Sequence, residues 1–256
     1  MLAYIATAYD FGYTWPWTYG HLVAAAALAI PAWLLYNRLR WAAVLLGALA
    51  LWAFAGFLIV TFAFGFNSPV KLPTPAFFAS GRGEVLDIGC GSGRATVMVG
   101  TARPSARIAA LDNFSADYIR DNGETRLRQN LRIAGIDDSR VRVIQADMRQ
   151  IPAADNEFAA VVSTYAIDHL NREGIRRTLS EVNRVLAPGG DFLLMIIHAD
   201  GWLKVTYGPL LMHTRGVGPN FWPDRLREAG LMLIEQGTTP GSAHYLARKP
   251  GSVDLQ

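Results

Sequence analysis

The feature that most restricts how this chain can fold is a long apolar run near its N-terminus. Residues 41–66 form a stretch of 26 residues without one charged side chain. About 20 apolar residues in a helix span the hydrocarbon core of a bilayer, where every backbone polar group must be satisfied within the structure. This run is apolar on every face, which is typical of a transmembrane helix rather than an amphipathic surface helix.

A second apolar run precedes it and predicts a hairpin. Residues 18–36 contain His21 as their only side chain that titrates near neutral pH, and the polar turn 37–40 joins the two runs. Aromatic residues flank both ends of the first run, as in the interfacial belts of membrane proteins. A cleaved signal peptide would need a basic region before the apolar run, which is missing here. A soluble buried hairpin is the other alternative. Small residues in the second run also allow the helices of two copies to pack together as a homo-oligomer.

Charge divides the chain into a membrane region and an ordinary globular region. Residues 1–68 carry only Asp10, Arg38 and Arg40, although the chain has 24 basic and 21 acidic residues in total. We therefore expect a membrane region over 1–68, a proline-containing linker over 69–83 and a globular domain over 84–250. Phe77 and Phe78 of the linker are expected to pack on that domain. The sequence contains no basic stripe of the kind that binds nucleic acid. With a single cysteine, the chain cannot form an intrachain disulfide or a thiolate-rich metal site.

Short apolar runs alternate with helical patterns after residue 84 and predict an α/β fold. The expected architecture is a Rossmann-like, doubly wound, mostly parallel seven-stranded sheet, preceded by the all-α two-helix transmembrane hairpin. The predicted strands cover 85–88, 107–112, 141–147, 158–163, 191–197, 231–236 and 243–248, the last two as a hairpin. The predicted helices cover 94–102, 117–134, 172–186 and 222–229. Ligands of such sheets bind beyond the carboxyl ends of the strands.

A glycine-rich loop follows the first strand. Gly89, Gly91 and Gly93 can turn tightly and let the backbone approach a ligand, but this pattern alone is shared by several nucleotide-binding folds. No Lys-Ser/Thr pair follows, so the loop is not a phosphate loop. Asp112 ends the second strand, where a carboxylate can accept hydrogen bonds from ribose hydroxyls. Asp147 ends the third, where it can accept from an adenine amino group.

Together these motifs resemble a known family. Residues 84–200 are similar to the class I S-adenosylmethionine-dependent methyltransferases of the small-molecule type, with five motifs in order at 85–93, 111–112, 146–148, 155–163 and 184–190. The resemblance implies S-adenosylmethionine as methyl donor, S-adenosylhomocysteine as product and no metal. It implies that the cofactor is bound by Asp87, Gly89, Gly91, Gly93, Asp112, Asn113, Asp147 and Met148. Asp87 has the alternative role of orienting loop amides without touching the cofactor. The structural alternatives are a strand-end cap for Asp112 and a helix N-cap for Asp147.

Candidate catalytic residues follow the fourth and fifth strands. Tyr165, Asp168 and His169 come after strand four, and His198 ends strand five. An imidazole titrates near pH 6.5 and can take a proton from an acceptor, and Asp168 can fix its tautomer or bind a cationic substrate. The structural alternatives are that Asp168 caps the next helix and that His169 packs at its start. We expect His244, in the last strand, to be structural.

A long apolar insertion after strand five predicts a lid or a substrate wall. It covers 200–220 and contains Trp202, Tyr207, Leu210, Leu211, Met212 and His213. Insertions of that length often have such roles, and a core helix is the alternative.

The sequence therefore predicts an integral-membrane methyltransferase that modifies a small lipophilic or membrane-resident acceptor. Arg38 and Arg40 in the turn favour a cytoplasmic turn, whereas Lys71 and Arg82 favour a cytoplasmic globular domain. Because S-adenosylmethionine is normally absent outside the cell, we expect the globular domain to face the cytoplasm. Three alternatives remain. The chain is another S-adenosyl transferase on the same fold, such as an aminopropyl transferase, or a non-enzymatic membrane assembly module, or a nicotinamide-dependent dehydrogenase.

Overall fold

The N-terminal apolar runs form a helical hairpin. The computed structural model describes residues 9–115, 123–198, 200–207 and 218–251. Helix α1 spans Trp15–Leu35 and helix α2 spans Arg40–Ile59, which continues as a π-helical turn over Val60–Phe64. Both helices are long and apolar enough to cross a bilayer. Their outer faces carry uncovered aromatic rings, with Trp33 78%, Trp41 89% and Phe62 82% exposed.

The globular region is built on one seven-stranded sheet with the strand order β3-β2-β1-β4-β5-β7-β6. Strands β1 to β5 are parallel, β7 is antiparallel to β5, and β6 and β7 form an antiparallel hairpin. The strands are β1 Glu84–Ile88, β2 Arg107–Asp112, β3 Val141–Gln145, β4 Phe158–Thr164, β5 Leu186–Ile197, β6 Met232–Thr239 and β7 Ser242–Arg248. The predicted doubly wound α/β fold is confirmed, with the two antiparallel strands at one edge.

Several predicted strand boundaries differ from the observed ones, among them the end of the third strand and the start of the fifth. The third strand stops at Gln145, two residues before the predicted end at Asp147. The fifth begins at Leu186 rather than Asp191, because Leu186 pairs with Phe158 before a register shift restores regular pairing at Ala160. Gly190 lies in this irregular stretch, where a Cβ atom would come within 2.9 Å of the Ala159 carbonyl oxygen.

Helices cover both faces of the sheet. They are α3 Arg94–Ala102, α4 Glu124–Ile133, α5 Arg172–Val185, α6 Gly201–Tyr207 and α7 Phe221–Glu228. Leu127 and Leu131 of α4 join α3 in the core on one face, and Leu179 of α5 and Leu226 of α7 lie in the core on the other. A sheet buried on both faces needs nearly continuous apolar strands, which explains why β1, β2 and β4 show no alternation.

The predicted linker is packed on the globular domain. Phe77 and Phe78 are buried, as expected, and the Phe78 backbone N–H donates to Asp191 Oδ2 at 2.9 Å. The guanidinium of Arg103 donates to the carbonyl oxygens of Pro75, Phe77 and Phe78. These hydrogen bonds fix the chain direction between the hairpin and β1.

A short segment before the hairpin also belongs to the globular domain. We call residues 9–13 the N-terminal strap. Its Phe11 side chain is 1% exposed, and Ser92 Oγ donates to the Phe11 carbonyl oxygen at 2.7 Å. The Asn130 side chain accepts from the Asp10 N–H at 3.0 Å and donates to the Asp10 carbonyl at 2.9 Å, and Arg126 forms an ion pair with Asp10. The strap thus packs with the globular domain, although it lies within the predicted membrane region 1–68.

Candidate active site

A cleft of about 280 Å³ lies at the carboxyl ends of the parallel strands. Residues from the strap, the glycine loop, the β2 end and the segment after β4 surround it. They are Phe11, Tyr13, Gly89, Cys90, Gly91, Ser92, Arg94, Asp112, Asn113, Ser115, Met148, Thr164, Tyr165, Ala166, His169 and Leu170. This is the edge of the sheet where open α/β folds bind their ligands.

The glycine loop forms the floor of the cleft. Gly89 has a φ of +73°, and a Cβ atom there would lie 2.3 Å from the Ala166 Cβ, so only glycine fits this approach. The backbone N–H groups of Gly89 and Cys90 both donate to the Leu111 carbonyl oxygen, at 2.8 and 3.1 Å. Gly91 also lines the cleft, whereas Gly93 lies outside the lining and begins α3 against Leu127. Burial raises the pKa of the Cys90 thiol, which keeps it protonated.

Asp112 projects into the cleft from the end of β2. Its Oδ2 atom accepts from the Gly91 N–H at 2.8 Å, and its Oδ1 atom accepts from the Phe114 N–H at 2.6 Å. A carboxylate has further lone pairs, so both oxygens can still accept from a ligand's hydroxyl groups. Asn113 and Met148 line the same cleft. Asp112 thus lines the cleft with lone pairs available, and its contact with a ribose stays a prediction.

Asp87 lies beneath the glycine loop and does not line the cleft. Its carboxylate is fully buried, and Oδ2 accepts from Thr96 Oγ1 at 2.6 Å. Burial, together with the nearby Asp112 charge, raises its pKa to about 7. Asp87 therefore lies away from the cleft, as in the alternative interpretation, but the hydrogen bond that it accepts comes from Thr96 of α3 and not from a loop amide.

Asp147 also lies outside the cleft lining. Because β3 ends at Gln145, Asp147 belongs to the following turn, where its carboxylate accepts from the Arg149 backbone N–H at 2.8 Å and from Arg149 Nε at 2.9 Å. The hydrogen bonds from the Arg149 guanidinium lower the Asp147 pKa. Met148, the next residue, reaches the cleft instead.

The predicted catalytic residues separate into two pairs. Tyr165 and His169 line the cleft, whereas Asp168 and His198 do not. Asp168 is half-buried, its Oδ2 accepts from the Ile197 N–H at 3.0 Å, and burial of its carboxyl group raises its pKa. The His198 side chain is exposed, and its backbone N–H donates to Gly241 at 3.0 Å. His198 thus lies outside the lining of this cleft, and Asp168 ties the β4 loop to the end of β5.

Tyr165 adopts an unusual backbone conformation at the cleft. Its φ is +53°, a region that non-glycine residues rarely occupy and that often marks a functional site. The Tyr165 hydroxyl donates to Ser242 Oγ at 3.0 Å, and burial raises its pKa. This hydrogen bond holds the ring over the cleft.

Arg94 and the strap residues Phe11 and Tyr13 were not predicted as site residues. The Arg94 guanidinium carbon lies 5.9 Å from the ring centre of Tyr13 and 5.8 Å from that of Tyr165. Arg94 directly follows the glycine loop, and this adjacency is the one sequence signal that pointed to it. Nothing in the sequence places the strap, because about 80 residues separate it from the loop it covers.

Part of the predicted lid can be located. Tyr207 of α6 packs among aromatic rings of the hairpin, 5.7 Å from Trp17 and 5.2 Å from His21 between ring centres. Leu210, Leu211, Met212, His213 and the Trp202 side chain lie outside the described residues. In the part of the chain that is described, no three His, Cys, Asp or Glu residues are grouped to hold a metal ion.

Comparison with known proteins identifies the central part of the chain. Residues 85–190 match the methyltransferase domain family. An uncharacterized methyltransferase from Synechocystis is 28% identical over 134 residues, which cover 52% of this chain and 56% of that protein. A malonyl-[acyl-carrier protein] O-methyltransferase from Paenibacillus is 26% identical over 164 residues, which cover 59% of this chain and 56% of that protein. The chain thus spans about half the length of these curated relatives.

A solved structure shares the fold. The 1,6-didemethyltoxoflavin-N1-methyltransferase of Burkholderia thailandensis, solved with bound 1,6-didemethyltoxoflavin and S-adenosylhomocysteine, superposes with a TM-score of 0.50 at 18% identity. The match covers 68% of this chain and 74% of that one.

Proposed function

Since residues 85–190 form a methyltransferase domain of the class I, S-adenosylmethionine-dependent type, we propose that the whole chain is an integral-membrane methyltransferase. It transfers a methyl group to a small lipophilic or membrane-resident acceptor. Its globular domain faces the cytoplasm, where the methyl donor is made.

The residues of the cleft suit the methyl donor. When bound, S-adenosylmethionine supplies a methyl group on a sulfonium for direct displacement by a nucleophile. Gly89 and Gly91 line the cleft without side chains, and Asp112 offers carboxylate oxygens to hydroxyl groups. Asp112 also adds negative charge to a site that receives a cation. The main task of the chain is to align two reactants and exclude water.

The observation that carries the proposal is that one wall of this cleft is continuous with the hairpin. Tyr13 lines the cleft and stacks on Phe66 with 4.9 Å between ring centres. Arg94 lines the same wall and donates to the carbonyl oxygens of Phe64, Gly65 and Ser68 at the end of the hairpin. An acceptor dissolved in the lipid beside the hairpin thus has a short path to the cleft.

The surface of the hairpin supports its insertion in a membrane. Nineteen of the 22 large hydrophobic side chains that are exposed in the described chain lie between Trp15 and Phe62. Exposed apolar surface on that scale is costly in water and marks a membrane or protein contact. The absence of charge between Arg40 and Lys71 favours lipid.

His169 is the proposed general base. It is the one predicted histidine that lines the cleft, near Tyr165 and Leu170. A base is needed only when the acceptor carries a proton at working pH, and an imidazole accepts one in the neutral range. Tyr165 is proposed to hold the acceptor against this group.

The first experiment measures cofactor binding. Calorimetry on detergent-solubilised protein is expected to give S-adenosylhomocysteine binding that weakens about 10- to 100-fold in Asp112→Asn, since a hydrogen bond to a charged group contributes roughly 1.5–3 kcal/mol. Asp147→Asn is the matched control, because Asp147 lies outside the cleft lining. Equal affinity in the Asp112 variant and the native protein would reject the site.

The second experiment measures location and turnover. The protein is expected to stay in the membrane fraction after alkaline carbonate extraction. Native protein should release S-adenosylhomocysteine with a lipophilic acceptor but not with its short-chain, water-soluble analogue. Extraction into the soluble fraction, or equal turnover of both acceptors, would contradict the membrane assignment.

A further inference from the structure

We propose that the acceptor is a lipid-soluble phenol, whose ring enters along the aromatic wall and whose oxygen is held as the anion beside Arg94. This inference rests on the proposed function and assigns the class of its acceptor.

The charges around the cleft disfavour an amine acceptor. Asp112 is the only acidic residue among the described residues of the lining, and its free lone pairs are already assigned to the hydroxyl groups of the methyl donor. Arg94 contributes a permanent positive charge to the same cleft, and the methyl donor adds another. An alkylammonium group would meet two cations, and the one carboxylate among these residues is assigned to the methyl donor. A phenolate, by contrast, is stabilised by both positive charges.

Arg94 has hydrogen-bonding capacity left for an anion. Its Nε and Nη2 atoms donate to carbonyl oxygens at the end of the hairpin, at 2.8 to 3.2 Å. None of its hydrogen bonds to the described residues uses Nη1. The guanidinium is fixed between the rings of Tyr13 and Tyr165, so its position does not depend on the acceptor. A preorganised cation of this kind favours the anionic form of a nucleophile.

Aromatic rings connect the cleft to the outer surface of the hairpin. Tyr13 stacks on Phe66 at 4.9 Å, Phe66 lies 6.3 Å from Tyr207, and Tyr207 lies 5.2 Å from the His21 ring. His21 in turn lies 6.1 Å from Trp52, which is 47% exposed on α2. Ring-to-ring contacts at 4.5–7 Å are favourable, so a planar acceptor gains from this row where its rings are accessible, at Trp52 on the hairpin surface and at Tyr13 in the cleft. A flexible alkyl amine gains less from such a wall.

The reaction balances with the residues at hand. The phenol proton passes to His169, the oxygen–carbon bond forms as the carbon–sulfur bond breaks, and the bonding pair remains on sulfur in S-adenosylhomocysteine. The products are an aryl methyl ether and one released proton.

Acceptor class is tested with a matched pair of amphiphiles. A long-chain para-alkylphenol and the para-alkylbenzylamine with the same chain are given to native protein in micelles with S-adenosylmethionine. We expect the phenol to be methylated at least tenfold faster. Faster turnover of the amine, or turnover of neither by protein that binds S-adenosylhomocysteine, would overturn the phenol assignment alone. Protein that binds no S-adenosylhomocysteine would contradict the proposed function instead.

The role of Arg94 has a readout that needs no turnover. A long-chain alkyl nitrophenol changes its visible absorbance on ionisation, and we expect the probe bound to native protein to ionise about one pH unit lower than in empty micelles. Arg94→Gln should abolish this difference, Arg94→Lys should retain part of it, and Arg132→Gln, at an exposed arginine, should retain all of it. Equal ionisation in protein and empty micelles would overturn the role of Arg94. If Arg94→Gln does not fold, the native and Arg94→Lys proteins still decide the question.

Discussion

Three carboxylates close to the ends of neighbouring strands have three different environments. Asp112 faces the cleft and accepts two loop N–H groups, Asp87 is buried under the loop, and Asp147 is paired with Arg149 beyond the end of β3. A carboxylate in a buried site loses hydration, whereas one beside a guanidinium gains a favourable partner. The pKa of Asp87 is therefore raised and that of Asp147 is lowered.

The buried position of Asp87 predicts a pH-dependent stability. Its pKa of about 7 in the folded protein exceeds its ordinary value of 3.8, so the folded state binds its proton more tightly than the unfolded state. The resulting stabilisation is complete below about pH 4 and is lost as the pH rises toward 7, on the order of a few kcal/mol. Asp87→Asn cannot titrate at this position.

Thermal unfolding of the native protein and of Asp87→Asn in micelles between pH 4 and 8 tests this prediction. The native midpoint should fall, relative to that of the variant, as the pH rises through this window. Parallel pH profiles would show that Asp87 is not held in a raised-pKa state. Thr96→Val provides a second probe, since it removes a hydrogen bond that lowers the Asp87 pKa and is expected to extend the loss of stability to higher pH.

At the scale of elements, the hairpin is attached to the globular domain through α6. His21 Nε2 lies 2.8 Å from the Thr206 carbonyl oxygen, and Trp52 Nε1 donates to the Val205 carbonyl at 2.9 Å. The last carbonyl groups of a helix have no partner within the helix, so these side chains satisfy the end of α6. The His21 ring fits between the two hairpin helices because Gly56 has no side chain, since a Cβ atom there would lie 2.4 Å from His21 Cδ2.

Two glycines of α2 provide a matched test of this contact. Gly56→Leu is expected to displace His21, break its contact with Thr206 and destabilise the protein by about 1–3 kcal/mol, the usual effect of overpacking. Gly47→Leu should have little effect, because nothing lies within 4 Å of a Cβ atom at Gly47. The measurement is the thermal midpoint in micelles. Equal midpoints for the two variants would show that the His21 contact does not join the hairpin to α6.

At the scale of the whole molecule, the chain folds back on itself so that its beginning completes the site. The strap precedes the hairpin, yet Phe11 is buried in the core beside α3 and α4. Asn67 Oδ1, after the hairpin, accepts from the Phe11 N–H at 3.1 Å, which joins the two ends of the membrane region. The cleft and the hairpin therefore form one structural unit.

Phe11→Ala tests this unity. Truncating a buried phenylalanine typically costs about 3–5 kcal/mol, and here it should also weaken S-adenosylhomocysteine binding, because Phe11 lines the cleft. Phe62→Ala is the control, since that ring is 82% exposed on the hairpin and its loss should change stability by less than about 0.5 kcal/mol. Thermal unfolding and calorimetry measure both effects. If the Phe11 variant has the same thermal midpoint and the same S-adenosylhomocysteine affinity as the control, the strap does not contribute to the site.

The sequence by itself determined the class of fold, the glycine loop, the position of Asp112 and the two apolar helices. Each depends on local chemistry: apolar periodicity, glycine at a tight bend and an acid at a strand end. Only the tertiary structure decided that Asp87 lies under the loop, that Asp147 and His198 lie outside the cleft, and that Arg94, Phe11 and Tyr13 line it. A side chain's direction at the end of a strand depends on where pairing stops, and a contact between distant segments depends on packing, so neither can be read from residue types alone.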